Sequence, residues 1–113
     1  MGCLFCNILE KKVPADVVHE TEHALAFRDI RPVAPTHVLV IPKAHIPAIH
    51  DLEPTHAEAM GHLLIAARHV ADKLGLTADG YRLVINDGEQ AGQTVHHVHV
   101  HVLGGRRMTW PPG

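Results

Sequence analysis

His97, His99 and His101 occupy every second position of the run TVHHVHVHVLGG, residues 94–105, with Val98, Val100 and Val102 between them. Strict alternation with β-branched residues in every other slot is the pattern of a strand whose two faces differ, because successive side chains point to opposite sides. The three imidazoles therefore share one face. Packing alone does not ask for them, since Thr or Tyr serves a solvated strand face as well. As ligands of a single ion they are badly spaced: strand residues two apart lie roughly 6.6 Å apart at Cα and those four apart about 13 Å, too far for metal–nitrogen bonds of about 2 Å. A merely solvated face leaves three neighbouring imidazoles without a role. Phosphorus chemistry gives them one. Neutral imidazole is a nucleophile that divides a difficult transfer into two steps through a covalent intermediate. A neighbouring imidazole can hold a phosphoryl oxygen or pass a proton to the leaving group. The adjoining loop, NDGEQAGQT, offers backbone amides around Gly88 and Gly92 that could cradle an anion, and Asn86, Gln93 and Thr94 add uncharged donors.

Cys3 and Cys6 form the second reactive pattern. The start MGCLFC lacks a basic segment followed by an apolar core, so the expected location is the cytoplasm. There a C-x-x-C pair is more often metal-binding or redox-active than a structural disulfide. Acylation at Gly2 is disfavoured because position 6 is Cys where myristoylation wants Ser or Thr.

Several elements must position these groups. A short helix over 4–12 is closed off by Pro14, and strands over 17–19 and 24–28 are joined by the polar turn 20–23. An apolar run at 38–41, between Pro35 and Pro42, suits a buried strand. The spacing of Ala59, Met60, Leu63, Leu64, Ala67, Val70, Ala71 and Leu74 predicts one long helix over 55–74. Thr55 with Glu58 reads as its capping box and Gly75 as its stop. A strand at 81–85, the loop 86–92 and the histidine strand complete the chain. Several strands with one long helix predict an α+β fold with an antiparallel sheet rather than a doubly wound one.

Composition narrows the function classes. A chain of 113 residues suits one domain with a single site. With 46% apolar and 19% charged residues it is an ordinary globular composition, which argues against disorder and membrane spanning. A formal net charge of −2 argues against a general nucleic-acid binder. Twelve histidines make the charge strongly dependent on pH between about 5 and 7.

The segment HVHVHVL resembles the His-x-His-x-His signature of the histidine triad (HIT) superfamily. The blocks FRDIRPVAPTHVLVIPKAHI, GYRLVINDG, AGQTVHHVHVHVLGG and the ending WPPG are similar to its histidine triad nucleotide-binding (Hint) branch. That resemblance implies a HIT-like fold of about five strands with one long and one short helix in a single domain, 1–113. It also implies a homodimer whose sheets join into one, with tail residues 106–113 reaching the partner. The implied activity is hydrolysis of purine nucleoside phosphoramidates to AMP or GMP and an amine. His99 would be the nucleophile, forming a nucleotidyl-histidine, and His101 would contact the phosphate and the leaving group. His97 completes the catalytic row, and His37 falls near it. Asn86, Gly92 and Thr94 fall where the family grips phosphate, with Gln93 among them. Asp29 falls where a carboxylate binds ribose hydroxyls; by itself it would read as a cap for the turn before Pro32. Phe5, Ile8, Phe27 and Ile30 match the apolar base pocket, and Trp110 lies in the tail that reaches the other subunit's site.

Two departures are visible. His96 stands where relatives carry a non-histidine, on the face opposite the triad, and is expected to be a bystander. Thr94 replaces the commoner Ser. Zinc-bearing branches of the superfamily imply a structural zinc on Cys3, Cys6, His45 and His97, which would stiffen the N-terminus without activating water. No organic cofactor, nucleic acid or membrane is expected. The competing readings are a zinc-stabilised nucleotide-binding or interaction module, and a dinucleoside polyphosphate hydrolase or nucleotidylyltransferase of the same superfamily.

Overall fold

The computed structural model describes residues 2–113. Five antiparallel strands form one sheet: β1 (Val17–Glu20), β2 (Ala24–Arg28), β3 (Thr36–Pro42), β4 (Tyr81–Val84) and β5 (Val100–Gly104). Their order across the sheet is β1-β2-β3-β5-β4. The short helix α1 (Leu4–Leu9) precedes the sheet in sequence, and the long helix α2 (Ala57–Lys73) follows β3. The α+β class, with about five antiparallel strands and one long and one short helix, is as expected from the sequence.

Alternation along the strands divides the core into two layers. Ala24, Ala26, Val38, Val40, Val100 and Val102 point to one face, where Leu63, Ala66, Ala67, Val70 and Ala71 of α2 cover them. The opposite residues, Leu25, Phe27, Leu39 and Ile41, pack with Phe5 and Ile8 of α1. The register that pairs Leu39 with His101 and His37 with Leu103 puts both histidines on this second face. Valines thus hold the strand down on α2, and the histidines face the α1 side.

Among the differences from the sequence expectation are three boundaries and the width of the apolar stripe on the long helix. Helix α1 stops at Leu9, short of 12: Lys11 takes a positive φ of 62° and the chain turns back so that the N–H of Lys12 donates to the carbonyl of Asn7. Helix α2 begins at Ala57 after a 3₁₀ turn, Pro54–His56. Its capping box therefore lies earlier than Thr55 and Glu58: Glu53 and His56 cap each other, the His56 Nδ1 accepting the Glu53 N–H at 2.9 Å. Leu64, counted in the apolar stripe, is 49% exposed, so the buried stripe is narrower than the spacing predicts. The strand ladder of the histidine segment starts only at Val100. Continuing the register would set Val98 against Pro42, which has no N–H to give, and the Val98 N–H donates instead to the Ile46 carbonyl at 2.7 Å. His97 and His99 are therefore held by loop and side-chain contacts, not by sheet pairing.

Candidate functional site

The triad histidines lie together on the α1 face, but each is engaged differently. His97 is fully buried, and its Nε2 faces the Pro42 carbonyl at 2.9 Å. With that nitrogen donating, the proton sits on Nε2 and Nδ1 keeps a lone pair. The lone pair points at sulfur: Nδ1 is 3.4 Å from Cys3 Sγ and 3.6 Å from Cys6 Sγ. His45 Nδ1 lies 3.2 Å from Cys6 Sγ and 3.1 Å from His97 Nδ1. All four donor atoms fall within 4.8 Å of one another, which makes the group a candidate metal centre. A regular tetrahedron built on zinc bond lengths has edges of about 3.4 Å between nitrogens and about 3.5 Å between nitrogen and sulfur. The observed separations match that cage. Burial and the neighbouring Cys3 push the Cys6 thiol up from its ordinary value, so two thiolates side by side call for a cation. The backbone is preset for this: Cys3 caps α1, its sulfur accepting the Cys6 N–H at 3.4 Å. The free Nδ1 of His97 thus points into the candidate metal group, while the expectation placed the residue in the catalytic row with His99 and His101.

His99 is 5% exposed and its Nδ1 lies 2.7 Å from the carbonyl of His97. Only a protonated Nδ1 can donate there, so Nε2 carries the free lone pair. The Phe5 ring stands edge-on to the imidazole, with centroids 5.1 Å apart at 88°. Phe5 also packs edge-on against Phe27, and both are buried with Ile8. These three residues of the expected base pocket therefore form one apolar group beside His99. Ile30 does not join it and is 91% exposed.

His101 is set by a chain of donors. The Val33 N–H donates to Nδ1 of buried His37 at 3.2 Å, which leaves the His37 proton on Nε2. That nitrogen lies 2.9 Å from His101 Nδ1 and 3.4 Å from Asp29 Oδ2. His101 must then hold its own proton on Nε2, a buried atom with no hydrogen-bond partner among the described residues. Asp29, His37 and His101 also lie close enough to surround an ion, but the proton on His37 Nε2 occupies the position a metal would need. The trio is a hydrogen-bond relay. Burial, then the neighbouring His99 and His37, lowers the His101 pKa to about 4, and burial lowers that of His37 as well, against the pull of Asp29. Asp29 does double duty, since its Oδ1 accepts the Arg31 N–H at 2.8 Å and so also caps the turn.

The loop after β4 departs from the anion cradle read from its glycines. The N–H groups of Ala91, Gly92 and Gln93 close turns onto Gly88 and Glu89 carbonyls, and the Gly88 N–H donates to Gln93 Oε1 at 2.9 Å. Gly88 and Gly92, with φ of 92° and 93°, supply shape that other residues adopt only under strain. Gln93 is buried and its Nε2 donates to the carbonyls of Pro47 and Val95, so it braces the loop and has no donor left for a ligand. The exposed Thr94 and half-buried Asn86 remain available. His96 is exposed, as expected of a bystander. In the tail, Arg106 donates to the Val33 carbonyl at 3.1 Å and Arg82 to the Thr109 carbonyl at 2.8 Å. Trp110 is 81% exposed and outside both apolar layers. The positions missing from the sequence reading are mostly backbone atoms: the carbonyls of Pro42 and His97 and the N–H of Val33. They have no residue-type signature.

Three alternate histidines leading into an antiparallel strand, the second freed at Nε2 and the third relayed through His37 to the partly buried Asp29, define a histidine-triad protein. The chain belongs to the HIT domain family, whose family model matches residues 10–108. It is 52% identical over 112 residues to the "14 kDa zinc-binding protein" of Zea mays, an alignment covering 97% of this chain and 87% of that relative. The solved structure of a HIT family hydrolase from Legionella pneumophila superposes with a TM-score of 0.97 at 53% identity, covering 99% of this chain and all (100%) of that one. The histidine triad nucleotide-binding protein from Candida albicans superposes with a TM-score of 0.84 at 30% identity, covering 97% and 83% of the two chains.

Proposed function

We propose that the protein hydrolyses purine nucleoside phosphoramidates, releasing a nucleoside monophosphate and an amine. The observation that carries this reading is the pairing of two opposed tautomers: a bare Nε2 on His99 beside an unpartnered Nε2–H on His101, their rings 5.0 Å apart. His99 Nε2 attacks phosphorus while the P–N bond breaks, and the departing nitrogen takes the proton from His101. An anionic phosphoryl group beside His101 offsets the burial that lowers its pKa, so the imidazolium needed for that transfer forms with substrate present. Water then attacks the nucleotidyl-histidine, its proton going to His101, and the monophosphate leaves with His99 restored. Phe5, Ile8 and Phe27 offer apolar contact to the base, with Ile30 as an exposed outer wall. In this reading the Asp29 carboxylate, whose Oδ2 lies 3.4 Å from His37 Nε2, takes the ribose hydroxyls, and Asn86, Thr94 and the turn at Gly92 shape the phosphate end.

Zinc is the ion that the two thiolates and two imidazoles fit, in keeping with the name of the maize relative. With four protein ligands it would hold α1 against the histidine segment and leave no open position for substrate. The protein acts as a homodimer in the cytoplasm, with the tail 106–113 of each subunit reaching the other's site.

The test is AMP release from an adenosine 5′-phosphoramidate by wild type and His99→Ala, both first checked for folding. Turnover by the wild type alone, with AMP binding retained in the variant, supports the reading. Tight AMP binding without turnover in the wild type overturns it and favours a nucleotide-binding module. Faster release when the leaving group is itself a nucleotide favours the dinucleoside polyphosphate hydrolase.

A further inference from the structure

The loop that carries Asn86, Gly92 and Thr94 is fastened to the 47–50 segment at two points. One is buried: Gln93 Nε2 donates to the Pro47 carbonyl at 2.7 Å. The other is on the surface and is built from ionisable groups. Asp87 turns both carboxylate oxygens to His50, accepting its backbone N–H on Oδ2 at 3.0 Å and facing its ring Nδ1 from Oδ1 at 2.7 Å. Asp87 directly follows Asn86, so this contact fixes the entry of the loop as Gln93 fixes its exit.

We infer that His50 is a positioning residue for the phosphate-gripping loop, and that its charged pairing with Asp87 makes the grip on a phosphate group tighter at mildly acidic pH than at alkaline pH. The inference rests on the nucleotide reading above and adds a residue that never touches the substrate. The charged groups facing His50 are Asp87 from the loop and Asp51 from its own turn, whose Oδ1 is 3.7 Å from Nε2. The hydrogen bond to Asp87, then its charge and that of Asp51, raises the His50 pKa above the ordinary value of 6.5. The raised value means that the clamp is fully charged below about 6.5 and loses its charge as pH rises through the higher folded-state value. Neutral imidazole can still donate from Nδ1, so the clamp weakens without opening. The pair is exposed, so the effect is a few-fold.

Four proteins decide the matter: wild type; His50→Ala, which leaves only the backbone N–H; His50→Asn, whose amide can donate in place of Nδ1 but does not titrate; and Asp87→Asn. AMP affinity is measured by calorimetry from pH 5.5 to 8.5, with kcat and KM on the phosphoramidate. The Gly88 and Gly92 amide resonances are followed over the same range without ligand. The same triad and the same AMP phosphate are present in all of them, so ratios between them isolate the clamp. The expected result is AMP binding roughly two- to five-fold weaker in His50→Ala than in wild type at pH 6. That gap should narrow by pH 8.5, with KM raised and kcat little changed. His50→Asn should hold an intermediate affinity, and the loop amides should follow a titration only in wild type. Asp87→Asn, which removes the same charge pair from the other side, should match His50→Ala at pH 6. AMP binding with identical affinity and pH dependence in all the proteins overturns the inference and leaves the hydrolase reading intact. Absence of AMP binding by wild type overturns both, while the ligand-free amide titration still reports whether the loop senses His50.

Discussion

His97 uses two ends of one residue for two purposes. Its ring Nδ1 faces the thiols of Cys3 and Cys6, and its carbonyl holds Nδ1 of His99 in the protonated state. Movement of the ring therefore moves the peptide that sets the His99 tautomer. The Pro42 carbonyl fixes the other ring nitrogen, the usual partner that orients a metal-bound imidazole. The expected consequence is that the protein binds one zinc per chain, measurable by elemental analysis, and that a strong chelator lowers its melting temperature. With free zinc a thousand-fold above its Kd, linkage stabilises the folded chain by about 4 kcal/mol. Cys6→Ser should bind zinc far more weakly and melt alike with and without chelator. A wild type that melts identically in both conditions would falsify the metal assignment.

At the scale of elements, α2 carries the main core contact. Leu63 is 1% exposed and packs with the valine face of the sheet, whereas Ile65 is 54% exposed on the other side of the same helix. Leu63→Ala is expected to cost about 2–5 kcal/mol and Ile65→Ala within about 0.5 kcal/mol, both read from urea unfolding midpoints. Comparable losses would mean that the helix packs differently. The same helix shows what periodicity can and cannot deliver. Its spacing located the buried side at Leu63, Ala67, Val70 and Ala71 but not its start, because Glu53 and His56 cap a 3₁₀ turn that apolar spacing does not record. In the histidine segment, alternation correctly put valines on one face and imidazoles on the other. It could not show the ladder ending at Val100, since that depends on Pro42 in a strand nearly sixty residues away in sequence. Sequence spacing and resemblance singled out side chains that the fold does gather, with His99 beside His101 and Cys3, Cys6, His45 and His97 in one candidate metal group. The site was illegible where hydrogen bonding decides, as at Gln93 and the glycine amides, whose donors look free in sequence and are already engaged in the fold.

At the scale of the whole molecule, the sheet ends in an unpaired edge. Strand β4 is bonded to β5 on one side only, and around it Leu83 and Ile85 are 39% and 38% exposed. An edge with apolar side chains invites another strand, and a two-fold operation that sets β4 against β4 of a second copy gives a self-complementary interface. Among the described residues no helix is long and apolar enough to cross a membrane. The tail begins beside this edge: Arg82 of β4 holds the Thr109 carbonyl, and the next residue, Trp110, projects into solvent. A copy docked on β4 would meet that indole, which gives an exposed tryptophan a destination. Light scattering is expected to give twice the chain mass of 12.4 kDa. Leu83→Glu, which puts a charge at the edge, should shift it to the monomer. Trp110→Ala should keep the dimer mass while changing the phosphoramidate KM several-fold, because in the proposed dimer the indole reaches toward the partner's site and is not part of the β4 pairing. A wild type that stays monomeric at 100-micromolar order concentrations leaves the indole no second site to reach, and a Trp110→Ala dimer with unchanged KM assigns the tail to stability alone.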